Sequence, residues 1–410
     1  MTSNMVPLFS LANWKNGLAF KQIHFSEKGK PVIKIAELKN GITAQTARTQ
    51  QEFDSAVHLT KGDMVFSWSG NPETSIDVFW YDLPDGWLNQ HIFKVTPNDG
   101  VDQLYLYYLL KYLKPRFTAI ASNKQTTGLG HVTVKDMKEM LVPLPEITVQ
   151  QAIGAYLYTI DQKVYINNKI NDNLLRQAQL LFQSWFVDYQ PFGGQMPNDW
   201  TEGVFADIVD FSNGYAFKSK ELIDTPQPDC YRVFKQGHIF RGGGFNPDGT
   251  KSWYPRCKAE ELKKYVLKKG DILIAMTDMK DNVQILGNTA IMEVDDQYIV
   301  NQRVGVLRCK KEFGISYPYI FLLTNSKDFL LDLRSRANSG VQVNLSSTEI
   351  KNSPVHIAPC HVYEEFTAIV LPMFETMISN DIQNQQLAEL RNTLLPKLMT
   401  GEVDVSSVRI

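Results

Sequence analysis

Disulfide frameworks, membrane spans and a strong charge of either sign are all missing from this 410-residue sequence. Its four cysteines, Cys230, Cys257, Cys309 and Cys360, fall in the second half without a CxxC pair, so they read as reduced residues rather than a disulfide scaffold or a zinc-ligand set. No stretch approaches the ~20 apolar residues of a membrane span, and the first thirty residues lack the apolar core of a signal peptide. A cytoplasmic protein with no membrane partner is the expectation. Lys and Arg number 42 against 44 Asp and Glu, a net charge of −2, which excludes a protein that coats nucleic acid by bulk electrostatics but leaves room for local basic surfaces. With 43% hydrophobic and 21% charged residues the chain is neither disordered nor fibrous, and it can fill two cores of roughly 150 residues each.

Catalytic signatures are scarce as well. There is no GxxxxGK[ST] phosphate loop and no GxGxxG after a strand; Arg241-Gly242-Gly243-Gly244 runs into the turn-prone Phe245-Asn246-Pro247-Asp248-Gly249 instead of a helix. The Asn/Asp-Pro-Pro-aromatic tetrad of amino-methylating enzymes is absent, since Asn71-Pro72 and Asn246-Pro247 lead into Glu73 and Asp248. Seven histidines show no HxH or HExxH spacing, so no metal site is expected. One loose pattern stands out. Asp229 after Pro228, followed by Glu261 and Lys263, resembles the carboxylate-carboxylate-lysine set with which nucleases hold Mg²⁺ and stabilise developing charge; the same residues also read as a solvated helix face.

What the sequence does have is a duplication. NGLAF at residues 16–20 answers NGYAF at 213–217, Lys61-Gly62-Asp63 answers Lys269-Gly270-Asp271, and Asn89-Gln90-His91-Ile92 answers Asn301-Gln302-Arg303-Val304. After each Lys-Gly-Asp comes a short apolar run (residues 64–68 and 272–276), followed later by a second one (91–96 and 303–308), and turn residues ahead of runs this short predict strands. Residues 101–113 and 317–333 repeat apolar side chains at three and four, as helices do. Mixed α/β globules follow, each leading into a long helical segment, in the order globule, helix, globule, helix.

The long segments carry a strict four-three alternation. In the first it runs Ile153, Leu157, Ile160, Val164, Asn167, Asn171, Leu174, Ala178, Leu181, Trp185; 213 residues on it runs Phe366, Val370, Met373, Met377, Asn380, Asn384, Leu387, Arg391, Leu394, Leu398. A 3.5-residue period keeps one stripe facing a partner, which predicts that the two helices pack on each other as a coiled coil; two amphipathic helices lying on their own globules are the alternative. Asn layers at equivalent places in both copies lower stability but set register, because a slipped pairing buries an amide against Leu. Residues 149–187 as one helix would extend about 58 Å at ~1.5 Å per residue. Pro372 and Pro396 predict that the second helix is kinked or begins late.

Positive charge gathers ahead of two paired glycines. Lys111, Lys114, Arg116 and Lys124 precede Gly128, and Arg334 and Arg336 precede Gly340, in the segments SNKQTTGLGH and RANSGVQVN. Lys and Arg neutralise phosphates while Asn, Gln and Arg pair with base edges, so the mixture suits DNA; it suits a polar surface loop equally well.

With these residues in place, the chain resembles the specificity subunit of type I DNA restriction-modification systems over nearly its whole length. The resemblance is carried by the duplicated order, the NGLAF/NGYAF openings, the Lys-Gly-Asp strands and the two helix passages, VPLPEITVQQAIGAYLYTIDQKVYINNKINDNLLRQAQLLFQSWF and HVYEEFTAIVLPMFETMISNDIQNQQLAELRNTLLPKLMTGEV. It implies an α/β fold with two similar DNA-recognition domains, residues 1–146 and 191–359, separated by two long antiparallel coiled-coil helices, residues 147–190 and 360–410, in a pseudo-two-fold internal repeat. It implies a non-catalytic subunit in which each domain reads one half of a bipartite double-stranded DNA target and the helices set the spacer. The implied partners are two methyltransferase subunits using S-adenosylmethionine and two ATP- and Mg-dependent restriction/translocase subunits, with no cofactor in this chain. The DNA-contacting positions it points to are Lys124, Thr126, Thr127, Gly128, His131, Arg334, Arg336, Asn338, Ser339, Gly340 and Gln342. A duplicated protein-binding scaffold is the competing reading from another class, and an autonomous nuclease built on Asp229, Glu261 and Lys263 a third.

Overall fold

Both Lys-Gly-Asp turns work in the same way. Gly62 and Gly270 take positive φ, +94° and +85°, which lets the chain reverse into a buried strand. The aspartate then anchors the turn from inside: Asp63 accepts from the Thr60 N–H and the Lys94 ammonium, both at 2.8 Å, while Asp271 accepts from the Lys268 N–H at 2.9 Å and from two nitrogens of Arg308 at 2.7 Å. A charge-assisted bond of this kind ties each turn to the neighbouring strand.

The computed structural model describes residues 4–125, 128–279, 283–339 and 342–405. They form two compact units, Met1–Tyr165 with Asn384–Ile410, and Ile166–Gln383. In the first, an antiparallel sheet has the order Ala12–Asn16, Ile92–Pro97, Met64–Ser67, Asp77–Trp80. In the second, the order is Val209–Asn213, Val304–Cys309, Ile272–Ala275, Thr289–Ile291, the same topology from the repeated sequence. A smaller sheet repeats too, with one parallel pair in each copy: Lys30–Ile33 beside Gly86–Leu88, and Cys230–Phe234 beside Tyr298–Val300.

The glycine of the NGLAF and NGYAF motifs packs against the Asn-Gln motif. A Cβ on Gly17 would stand 2.2 Å from the Asn89 carbonyl oxygen, and one on Gly214 would stand 2.2 Å from that of Asn301, so no larger residue fits. The glycine N–H donates to the Ile92 carbonyl in one copy and the Val304 carbonyl in the other, and the carbonyl of the following residue, Leu18 or Tyr215, accepts from the Gln90 or Gln302 N–H while its N–H donates to the carbonyl of Leu88 or Val300. Two motifs that mark the repeat in sequence are therefore one structural joint.

Helices cover each sheet. Gln103–Tyr112 and Lys114–Asn123 pack on the first, Tyr317–Thr324 and Lys327–Ser335 on the second. The expected single helix over 317–333 is broken at Asn325. Its side chain accepts from the Thr289 N–H at 3.1 Å and donates to the Thr289 hydroxyl at 2.7 Å, fastening the break to the sheet.

The long helices are Ile147–Phe186 and Cys360–Met399. The second begins at Cys360 and runs unbroken through Pro372 and Pro396, which corrects the expectation of a late start. Within each unit the helix segments pair antiparallel. In the first unit Arg391 donates to Asp161 at 2.6 Å, and Ile153 and Leu157 share a core with Leu398. In the second, Asn167 donates to Gln383 at 2.8 Å, while Asn171 accepts from Asn380 at 2.8 Å and donates to Asp381 at 2.9 Å and the Met377 carbonyl at 3.2 Å. Ile153, Leu157, Ile160, Asn167, Asn171, Ala178, Phe366, Val370 and Leu398 are buried; Val164, Leu174, Leu181, Trp185, Met373, Met377, Asn380, Asn384, Leu387, Arg391 and Leu394 are half-buried. Near the globule of the second unit the buried stripe moves one residue along, to Phe374, Ile378, Phe182 and Phe186. The cause is that a straight helix drifts from a 3.5-residue repeat, and the partners there are Tyr317, Phe321 and Tyr319 of the globule.

Candidate nucleic-acid interface

In both units the strand that follows Lys-Gly-Asp does not stop at the edge of its sheet. Met64–Ser67 passes through Trp68 into Ser69–Gly70, which pairs with Gly130–His131; Ile272–Ala275 passes through Met276 into Thr277–Met279, which pairs with Gln342–Asn344, and that strand pairs with Asn338–Ser339. The polar loops that follow the domain helices are thus pinned to the end of the central strand. The pins match: the Val132 N–H donates to the Trp68 carbonyl at 2.9 Å, and the Leu345 N–H to the Met276 carbonyl at 2.8 Å. A ribbon of extended backbone bearing hydroxyl, amide and imidazole side chains such as Ser69, Asn338, Asn344 and His131 is narrow enough for the DNA major groove.

The predicted cations on these loops have internal partners. Lys124 donates to both oxygens of Asp136 at 2.5 and 2.7 Å; burial works against ionisation of that carboxyl, yet Lys124 and Thr133 hold it below the usual carboxylate range. Arg334 donates to the carbonyls of Leu286 and Gln284 and to the Asn288 side chain at 2.9, 3.2 and 3.2 Å, and burial pulls its guanidinium below the ordinary value. Arg336 donates to Asp332 at 2.7 Å and the Asn352 carbonyl at 3.0 Å. Of the other predicted positions, Gly128 and Asn338 are exposed and His131 is half-buried on its strand, opposite Ser69. Ser339 and Gln342 sit in the ribbon by their backbones, and Thr126, Thr127 and Gly340 lie outside the described residues.

Other residues reach the same edge. In the first unit Trp68 donates to exposed Asn16 at 3.1 Å and lies edge-on to His91, whose ring meets the Gln90 amide at 3.1 Å. In the second, exposed Asn213, Gln302 and Arg303 occupy the corresponding places, with the Arg303 carbonyl bonded to the Met276 N–H at 3.1 Å at the root of the ribbon. The Arg303 guanidinium has no partner among the described residues. The sequence signal for this set was the repeated motifs themselves, NGLAF/NGYAF and Asn-Gln-His/Arg, which mark a sheet edge as well as a duplication.

Asp229, Glu261 and Lys263 are not assembled into a metal site. Lys263 is paired with Glu260, and no cluster of three His, Cys, Asp or Glu able to hold a metal occurs among the described residues. No helix among them is long and apolar enough to cross a membrane.

Comparison with known proteins agrees with this architecture. The family described as Type I restriction modification DNA specificity domain matches twice, at residues 2–176 and 197–391. The type I restriction enzyme MjaVIII specificity subunit of Methanocaldococcus jannaschii is 24% identical over 401 residues, covering 92% of this chain and 87% of its own. The MjaIX specificity subunit of the same organism is 25% identical over 339 residues, covering 78% and 73%. The crystal structure of the type I restriction-modification S subunit from M. genitalium shares the fold with a TM-score of 0.59 at 18% identity, over 97% of this chain and 96% of that one.

Proposed function

The chain belongs to the type I restriction modification DNA specificity family, and from that premise we propose that it is the DNA-reading subunit of such a complex, each unit recognising one half of a bipartite target. It contributes recognition and no catalysis. The paired helices set the unread spacer and dock two methyltransferase subunits, which bring S-adenosylmethionine; two restriction/translocase subunits bring ATP and Mg-dependent chemistry. Linking two half-site readers raises the effective concentration of the second once the first is bound, and a stiff linker restricts which spacings gain from it.

The observation that carries this reading is the duplicated ribbon. The same strand of the same sheet extends into the same polar pairing in both copies, at Ser69–Gly70 with Gly130–His131 and at Thr277–Met279 with Gln342–Asn344. A fold that repeats its loop-bearing edge but varies the side chains there (His91 against Arg303, Asn71 against Met279) is built to read two different half-sites.

The test is to co-express the chain with the methyltransferase subunit encoded beside it in a methylation-free host and to map N6-methyladenine by long-read sequencing. A split motif with a fixed spacer, seen only when this chain is present, is the expected outcome. Co-purification of the two proteins without any methylated motif would leave helix docking standing and overturn the ribbon as a DNA reader.

A further inference from the structure

A cavity of about 540 Å³ opens in the second unit where the end of the helix Ile147–Phe186 meets the strands Thr201–Val204 and Pro354–Ile357 and the helices Tyr317–Thr324 and Lys327–Ser335. Phe182, Phe186, Trp200 and Tyr319 form an aromatic wall, each 8% exposed or less, with the Phe186 ring centre 5.7 Å from that of Trp200 and 4.8 Å from that of Tyr319. At its edge Tyr189 packs on Trp200 at 5.5 Å, and its hydroxyl meets His356 Nδ1 at 3.0 Å. Three carboxylates, Glu202, Asp328 and Asp332, share the lining, and no lysine or arginine is among the lining residues. Glu202 and Asp328 are exposed, and their side chains have no partner among the described residues. Asp332 accepts from Arg336 at 2.7 Å on one oxygen, while its Oδ2 is buried without a partner among those residues, as is Trp200 Nε1.

The duplication supplies an internal control for what the fold itself needs here. Equivalent positions follow from the matching strand pairs, Asn4 with Leu144 and Thr201 with Ile357, from the residues that open the first covering helix, Asp102 and Ser316, and from the buried Phe117 and Phe329 of the second. Where packing decides, the copies agree: Tyr105 answers Tyr319, and Val142 answers Val355, all of them buried. At the cavity they differ. The sequence carries Ser3, Met5, Arg116, Ile120 and Pro143 at the positions of Trp200, Glu202, Asp328, Asp332 and His356. The shared fold therefore does not require this lining, and neither does any task that the two halves perform alike. Unpaired carboxylates also repel phosphate, which sets the cavity apart from a surface for nucleic acid.

Ring faces carry negative potential and the carboxylates full charges, so the combination selects a cation with an organic body. Among such cations guanidinium is planar and weakly hydrated, and it can stack on a ring while giving paired hydrogen bonds to a carboxylate. The volume falls within the roughly 300–1,000 Å³ of small-molecule sites. We propose that this cavity is a binding site for a free small guanidinium compound, one per chain, held between the aromatic wall and Glu202, Asp328 and Asp332. A free ligand is the source chosen because a partner that engaged both halves of the repeat would meet these residues in one half only. Asp332 Oδ2, a buried acceptor without a donor, gains one when the cation binds.

The experiment is calorimetric titration of the full chain with agmatine, a guanidinium on an alkylamine, and with butylurea as its neutral counterpart. One agmatine per chain is expected, with butylurea bound at least about ten-fold more weakly, since it forms no charge-assisted bond. Glu202→Gln and Asp328→Asn, both at exposed positions, should each weaken agmatine binding about ten-fold for the same reason, with the melting temperature unchanged. Asp248→Asn removes the same charge from an exposed loop of the same unit and should leave binding as in the wild type. The inference is overturned if the folded chain binds no agmatine, if butylurea binds as well, or if Asp248→Asn weakens binding as much as the cavity variants do. Titration of the chain in complex with the methyltransferase subunit separates the sources: binding that persists there supports a free ligand, whereas binding to the chain alone that vanishes in the complex would overturn that choice in favour of an arginine side chain of the partner. The site does not depend on the DNA-reading proposal, so a chain that directs no methylation motif yet binds agmatine in this pattern would overturn that proposal and leave this one standing.

Discussion

Glu293 follows the edge strand Thr289–Ile291, is 7% exposed, and its Oε2 has no hydrogen-bond partner among the described residues. Burial, and then the charge of Asp381 on the long helix, push its carboxyl from 4.5 up to about 8. Burial likewise pushes Asp381 up to about 6, against the hydrogen bond from Asn171. Tyr298 also faces Glu293, and Arg232 stands against Tyr298. A carboxyl raised in this way binds more protons folded than unfolded between the two values, so stability is highest at low pH and falls as pH climbs from about 4.5 to about 8. At about 1.4 kcal/mol per pH unit, the loss between pH 5 and pH 9 is on the order of 4 kcal/mol. Glu293→Gln removes that loss and introduces a buried amide costing about 1–3 kcal/mol. The variant should therefore be weaker than the wild type by about 1–3 kcal/mol at pH 5 and more stable than it by about 1–3 kcal/mol at pH 9. Urea denaturation of the full chain at pH 5, 7 and 9, read by pulsed hydrogen exchange on residues 289–300, follows the second unit by itself. Parallel stability–pH curves for the two proteins would refute the reasoning, because a group that pays no folding penalty cannot be relieved of one.

Two further substitutions probe the joints of the fold. Gly214→Ala places a methyl group 2.2 Å from the Asn301 carbonyl and should cost roughly 3 kcal/mol or more, with hydrogen-exchange protection falling across Val209–Asn213 and Val304–Cys309 while Ala12–Asn16 and Met64–Ser67 are unaffected. Arg391→Ala leaves half-buried Asp161 with the Tyr108 hydroxyl as its remaining partner and should cost about 1 kcal/mol, a modest figure because the pair is about one-third exposed; Asp161→Asn in the same background should recover part of it in a double-mutant cycle.

What could be read from the sequence and what could not divide along the distance of the partner. The strands after Lys-Gly-Asp and the long helices are set by local pattern, and local pattern is visible. The break at Asn325 is not, because it is made by bonds to Thr289, 36 residues earlier. Met373 and Met377 fit the four-three alternation better than Phe374 and Ile378, yet the phenylalanine and isoleucine are the buried pair, since Tyr317 and Phe321 approach from the globule as well as the partner helix from its own side. Pro372 is carried by a helix already held at both ends, where in isolation it would have ended one.

Charge in a sequence is blind to partners for the same reason. Lys124, Arg334 and Arg336 add positive charge ahead of the paired glycines, but composition records a charge and not its partner. Asp136, the carbonyls of Gln284 and Leu286, and Asp332 already take them up. Lys111 and Lys114 are similarly engaged by Asp77, whose carboxyl they hold below the usual range against the pull of burial. What remains at the ribbon edge is mostly amide and aromatic chemistry, with Arg303 the free guanidinium among the described residues there. Sequence-independent affinity comes from neutralised phosphates, whereas discrimination comes from base edges read by groups held in place. A chain that commits its loop cations to shaping loops has little left for the first task. It is suited to the second, and the non-specific grip on DNA falls to the subunits it assembles with under the function proposed above.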